Sequence, residues 1–113
     1  MKRVLKRDCE ALHRELWGWL AKTGGDNKLH WHRWMHNGGD IPMSPESCFA
    51  CTFAVTEYGY RDCKRCPLRW TDGRCLSMHS EYVLWVNSYP SEERKRLAAL
   101  IRDMPWNPRR GRE

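Results

Sequence analysis

Cys48-Phe-Ala-Cys51 and, after eleven intervening residues, Cys63-Lys-Arg-Cys66 decide how the rest of this 113-residue sequence is read. A Cys-x2-Cys turn brings two sulfurs to one side of the chain while nearby backbone N–H groups point at them. Two such turns supply four thiolates to a tetrahedral Zn2+ at about 2.3 Å each. Four protein ligands leave no open position, so the expected centre of Cys48, Cys51, Cys63 and Cys66 is structural and not catalytic. Cys75 lies close behind and can stand in for any one of the four. A zinc tetrathiolate carries two negative charges, and Arg61, Lys64, Arg65, Arg69 and Arg74 are placed to offset them.

Composition says why a metal staple is expected. Leu, Ile, Val and Phe supply 18 of the 113 residues, under the roughly one-fifth at which a charged chain begins to look disordered. Seven Trp and five Met return some of the missing bulk, and a net charge of +6 is too small to expand the chain. The length fits one domain, 1–113, and a small domain short of aliphatic packing gains most from disulfides or a structural metal. Compartment separates those two. Met1-Lys-Arg-Val-Leu-Lys-Arg-Asp-Cys9 has the charge of a signal peptide without its apolar run, and no stretch approaches the ~18 apolar residues of a membrane span. The expectation is a cytoplasmic chain without a membrane partner, whose thiols stay reduced and bind metal.

On either side of the cysteine region, 48–75, the apolar spacing is helical. Leu5, Cys9, Leu12, Leu16 and Trp19 step by four and three, which predicts a helix over about 4–22, stopped by Thr23-Gly24-Gly25. Asp26 or Asn27 can cap a second, short helix carrying Trp31, Trp34 and Met35, closed by Asn37-Gly38-Gly39. These two form the expected antiparallel pair, 4–37. Residues 39–47 read as a loop, with a helical turn after Cys51 and a turn at Tyr58-Gly59-Tyr60. Met78, Tyr82, Trp85, Val86 and Tyr89 predict a third helix over about 76–88. Pro90, Ser91, Glu92 and Glu93 open a fourth, with Leu97, Leu100, Ile101 and Met104 on its apolar face. The pair 76–104 is followed by a mobile basic tail, 105–113. The expected fold is mostly α, about four helices around an irregular zinc-knuckle region.

Leu12-His-Arg-Glu-Leu-Trp-Gly-Trp-Leu-Ala21, the two knuckles with Pro67-Leu68-Arg-Trp70 and Cys75, and Arg96-Leu-Ala-Ala-Leu-Ile-Arg-Asp-Met-Pro105 together resemble a group of short cysteine-rich hypothetical proteins of phages and prophages of Gram-positive bacteria. The likeness runs from about residue 12 to 105 and departs at Trp31 to His36, which are extra here. No activity is established for that group. The resemblance implies a setting: a viral accessory protein in the bacterial host cell, a class that includes inhibitors of host defence.

Enzyme chemistry finds little to stand on. An HNH-type nuclease also pairs Cys-x2-Cys knuckles around its site, and His36-Asn37 invites the comparison, but the eleven residues between these knuckles hold no His or Asn. A zinc deaminase needs Pro before its Cys-x2-Cys and an upstream His-x-Glu, whereas Pro67 follows Cys66. His32 and His36 share a face of the predicted second helix without a carboxylate partner and read as solvated. His13 and His79 are substitute zinc ligands of lower standing. The expectation is therefore a non-enzymatic protein that binds a host bacterial protein, with exposed Trp17, Trp31 and Trp106 as contacts and Trp19, Trp34 and Trp85 in the core. Cys9 falls on the core face of the first helix. Nucleic acid is the alternative partner, through Lys2, Arg3, Lys6, Arg7 and Arg14, through Arg94, Lys95 and Arg96, and through the arginines of the tail.

Overall fold

The computed structural model describes residues 4–42, 48–55, 63–73 and 75–109, with the side chains of Cys63 and Asp72 excepted. Four α-helices carry the fold: α1 (Cys9–Thr23), α2 (Phe49–Phe53), α3 (Glu81–Asn87) and α4 (Ser91–Asp103). Among the described residues there is no strand, and an isolated bridge pairs Trp34 with Ile41. The mostly helical expectation holds at this level.

α1 follows a 3-10 turn, Lys6–Asp8, and ends where the sequence says it should. Gly24 adopts φ 71°, a left-handed conformation that costs a residue without Cβ little, and its N–H donates to the Leu20 carbonyl at 2.9 Å. The buried face is turned relative to the predicted stripe. It runs Cys9, His13, Leu16, Trp17 and Leu20, with Leu12 and Trp19 at its margin. The partner of α1 is α4, and the two run antiparallel: His13 and Arg14 bond the carbonyls of Ile101 and Arg102, while the Gly24 carbonyl accepts from Arg94 Nε at 2.8 Å. Leu97, Ala98 and Ile101 are the buried residues of α4.

The predicted second helix is absent. Lys28–His30 and Met35–Asn37 are separate 3-10 turns, the first capped by the Asn27 side chain, which accepts from the Leu29 N–H at 2.9 Å. Spacing of three residues serves a 3-10 turn as well as an α-helix, so Trp31 and Trp34 share the inward side in both. The loop between them closes on its own backbone, with Met35 N–H donating to Ile41 O and Ile41 N–H to Arg33 O, each at 2.9 Å. Gly39 packs so tightly there that a Cβ would sit 2.2 Å from the Arg33 carbonyl oxygen. His32 and His36 consequently lie on different turns, and His36 Nε2 is 3.1 Å from Leu29 O.

α2 begins before Cys51, at Phe49, and its Phe49, Ala50 and Phe53 are buried. α3 starts at Glu81, later than predicted, because Ser80 caps it: Ser80 Oγ accepts from Val83 N–H at 3.2 Å and donates to the Cys75 carbonyl. The predicted Tyr58-Gly59-Tyr60 turn lies outside the described residues. The start of the tail is tied down at Trp106 and Asn107. Trp106 meets His13 and Phe53 at ring separations of 5.4 and 5.3 Å, and Asn107 N–H donates to Pro67 O at 2.9 Å.

The core is aromatic. Trp17, Trp31, Trp34, Trp70 and Trp85 are all buried, with Phe49 stacked on Trp34 at 5.4 Å and Trp85 edge-on to Trp17 at 4.9 Å. Each such ring removes some 150–250 Å2 from water. Trp17 and Trp31, predicted as exposed contacts, are thus core residues, and Trp19 is only half-buried.

Candidate metal centre

Cys48 precedes α2 in extended backbone, and Cys51 lies one turn along that helix. That arrangement turns the first knuckle's two thiols toward each other. The hydrogen bond with Cys51 holds the Cys48 thiol well below its ordinary range against the opposing effect of burial, helped by the Lys28 ammonium and the backbone N–H groups of Cys51 and Ala50. A low-pKa thiol is already on the way to the thiolate a metal requires. Burial, by contrast, pushes Cys9 up to about 12, with Asp8 and Cys48 adding to the shift. Its Sγ donates to Leu5 O at 3.4 Å. Cys9 is a fully buried core residue, as its place on α1 implied.

A cavity of about 100 Å3 opens beside the first knuckle. Cys48, Cys51 and Cys75 line it, together with Lys28 and the aromatic walls of Trp17, Trp70 and Tyr82. The Lys28 ammonium lies 4.6 Å from the centre of the Tyr82 ring. Cys66 packs against the core and is not among the residues that line this cavity. Among the described residues no two cysteines form a disulfide, and no group of three or more His, Cys, Asp and Glu side chains is gathered closely enough to hold a metal ion as it stands. The side chain of Cys63 is outside the described residues, so the predicted set of Cys48, Cys51, Cys63 and Cys66 is seen only through three members. The donor chemistry fits zinc at the first knuckle, where two thiols are already paired.

The substitute histidines are placed differently. His79 is exposed. His13 is fully buried between α1 and α4, and its Nε2 is 2.9 Å from the Ile101 carbonyl oxygen. A carbonyl can only accept, so Nε2 carries the proton and Nδ1 is left as a buried lone pair with no hydrogen-bond partner. Desolvation pushes this imidazole down to about 4 despite the Ile101 bond. As pH falls the unfolded chain, with an ordinary value near 6.5, takes up its proton first. Stability is therefore unaffected above about pH 7 and is lost between about 6.5 and 4, by about 3 kcal/mol in all. His13→Gln keeps a donor for Ile101 O and cannot titrate. Urea midpoints measured from pH 7.5 to 3.5 should fall less steeply for this variant than for the wild type. Identical slopes would show that His13 does not titrate with folding.

Several surface cations are ion-paired. Arg33 reaches Glu15 at 2.7 Å and Asp40 at 3.3 Å, Arg14 reaches Glu10 at 3.1 Å, Lys95 reaches Glu92 at 3.5 Å, Arg96 pairs with Glu93, and Arg102 reaches Asp103 at 2.8 Å. Exposed apolar side chains are concentrated in one stretch: Leu76, Met78, Leu84, Val86 and Tyr89, with Met78 77% and Tyr89 90% exposed. No helix among the described residues is long and apolar enough to cross a membrane. The fold and site together define a small, mostly helical, cysteine-rich domain with an aromatic core. No family profile, no characterised protein and no solved structure matches the chain.

Proposed function

We propose that this chain is a non-enzymatic, zinc-stabilised phage accessory protein that acts in the cytoplasm of its bacterial host by binding a host protein, with a component of a defence system as the candidate target. The zinc site of this reading is built on Cys48, Cys51, Cys63 and Cys66, with Cys75 as the substitute. The observation that carries the binding reading is the succession of exposed apolar residues Leu76, Met78, Leu84, Val86 and Tyr89 along one short stretch of chain. Single exposed apolar residues are ordinary, but a run of them within fourteen positions is what a protein interface looks like before it is covered. Of the cations that could serve nucleic acid, Arg14, Lys95 and Arg96 are shared with carboxylates on α1 and α4, which leaves those three less well placed to follow a phosphate backbone.

The test is affinity capture from bacterial lysate with wild-type protein and with the double variant Val86→Glu, Tyr89→Glu. Both positions are exposed, so the variant should melt within roughly 0.5 kcal/mol of wild type. The captured protein should survive nuclease digestion and fall by at least about tenfold with the double variant, the size expected when an interface anchor is lost. Loss of everything captured on nuclease digestion would replace this reading with the nucleic-acid alternative.

A further inference from the structure

We propose that Cys75, and not Cys66, joins Cys48 and Cys51 at the metal centre, with Lys28 as the cation that balances its charge. The inference rests on the zinc reading above and names its ligands more closely. Cys75 and the first knuckle come from separate segments of the chain, yet all three cysteines border the same cavity. Cys66 sits only three positions from Cys63 and by spacing alone is the natural fourth member, but it does not border that cavity.

Three further features favour Cys75. Its carbonyl is anchored by the hydroxyl of Ser80, which is itself fully buried and also caps α3. That anchor ties the position of Cys75 to the start of a helix, as a ligand requires. Lys28 borders the same space, where an ammonium offsets part of the negative charge that thiolates place around a divalent ion. Trp70 also borders the cavity, and its indole N–H is buried without a hydrogen-bond partner. Metal-bound thiolates are acceptors, and such outer hydrogen bonds tune a metal site. A volume of about 100 Å3 leaves room for the sulfurs to close on an ion, which the described thiols have yet to do.

The experiment compares wild type, Cys75→Ser, Cys66→Ser and Lys28→Met, all reduced and kept without oxygen. Cobalt(II) is added first, since the intensity of the thiolate-to-cobalt charge-transfer band reports the number of sulfur ligands. Zinc affinity is then measured by competition with a chromophoric chelator. Cys75→Ser should lose charge-transfer intensity and bind zinc more weakly by over about 100-fold, beyond the 10–100-fold typical of outer-sphere changes. Lys28→Met should keep the band and weaken binding by about tenfold, while Cys66→Ser should leave both readings within about threefold of wild type. Cys66→Ser losing as much as Cys75→Ser, or more, overturns the assignment while the zinc reading stands. A wild-type protein that takes up neither cobalt nor zinc overturns the zinc reading itself.

Discussion

Excess chelator is expected to abolish the helical circular-dichroism signal of the reduced protein at 25 °C, and restored zinc to bring it back. The size of the effect follows from two magnitudes. Structural zinc sites supply on the order of 10–16 kcal/mol in small peptides, and whole domains are stable by only about 5–15 kcal/mol. Losing the proposed ion would therefore remove as much free energy as the domain has to spare. The damage cannot stay local, because α2 holds the first knuckle and the core at once. Cys48 and Cys51 bracket Phe49 and Ala50, and Phe49 stacks on Trp34 while Phe53 meets Trp106. Release of the knuckle withdraws those rings from Trp34 and from Trp106 beyond α4. Cys51→Ser should mimic the chelator, whereas Cys9→Ala, which removes a buried core thiol, should cost roughly 1 kcal/mol. A melting temperature unchanged by chelation would show that the aromatic core suffices without any metal.

That outcome turns on a feature the composition concealed. Counting Leu, Ile, Val and Phe gives a thin core, but five buried tryptophans fill the space those residues would have taken. α4 was legible because its signals are local: Pro90 before it, two glutamates in its first turn, and an apolar face ending at Met104. The end of α1 was legible for the same reason, since a glycine pair after a helical stripe is a stop signal wherever it occurs. The face of α1 was not. His13 counts as polar in any periodicity, and what makes it a core residue is a carbonyl 88 positions away. Leaving it out turned the inferred stripe toward Leu12 and Trp19. The partner of α1 was hidden likewise, because a short connection suggested the segment 28–37, whereas the structure packs α4 there. At the cysteines, spacing identified the first knuckle. It could not say whether Cys66 or Cys75 shares its cavity, because that depends on how residues 63–80 are routed and on Ser80, a buried hydroxyl with no spacing signature.

Trp17→Ala should cost about 3–5 kcal/mol, the range for truncating a buried tryptophan, and Trp19→Ala roughly 1 kcal/mol. The two residues lie two positions apart on one helix, so propensity and neighbouring sequence hardly differ between them, and the contrast reports which face is inside. Trp17 is 2% exposed and sits edge-on to Trp85 at 4.9 Å and to Tyr82 at 6.2 Å. Trp19 is half-buried, with His32 at 6.5 Å as its ring neighbour. Removing the Trp17 indole opens a hole where α1, α3 and the thiol cavity meet, and the facing rings cannot collapse into it without leaving their own contacts. The loss amounts to much or all of a small domain's stability, so Trp17→Ala should be partly unfolded before urea is added, while Trp17→Phe, which keeps a ring in the space, should retain a cooperative transition. Urea unfolding followed by far-ultraviolet circular dichroism measures all three. A larger loss for Trp19→Ala than for Trp17→Ala would restore the stripe inferred from periodicity and reverse the inward face of α1.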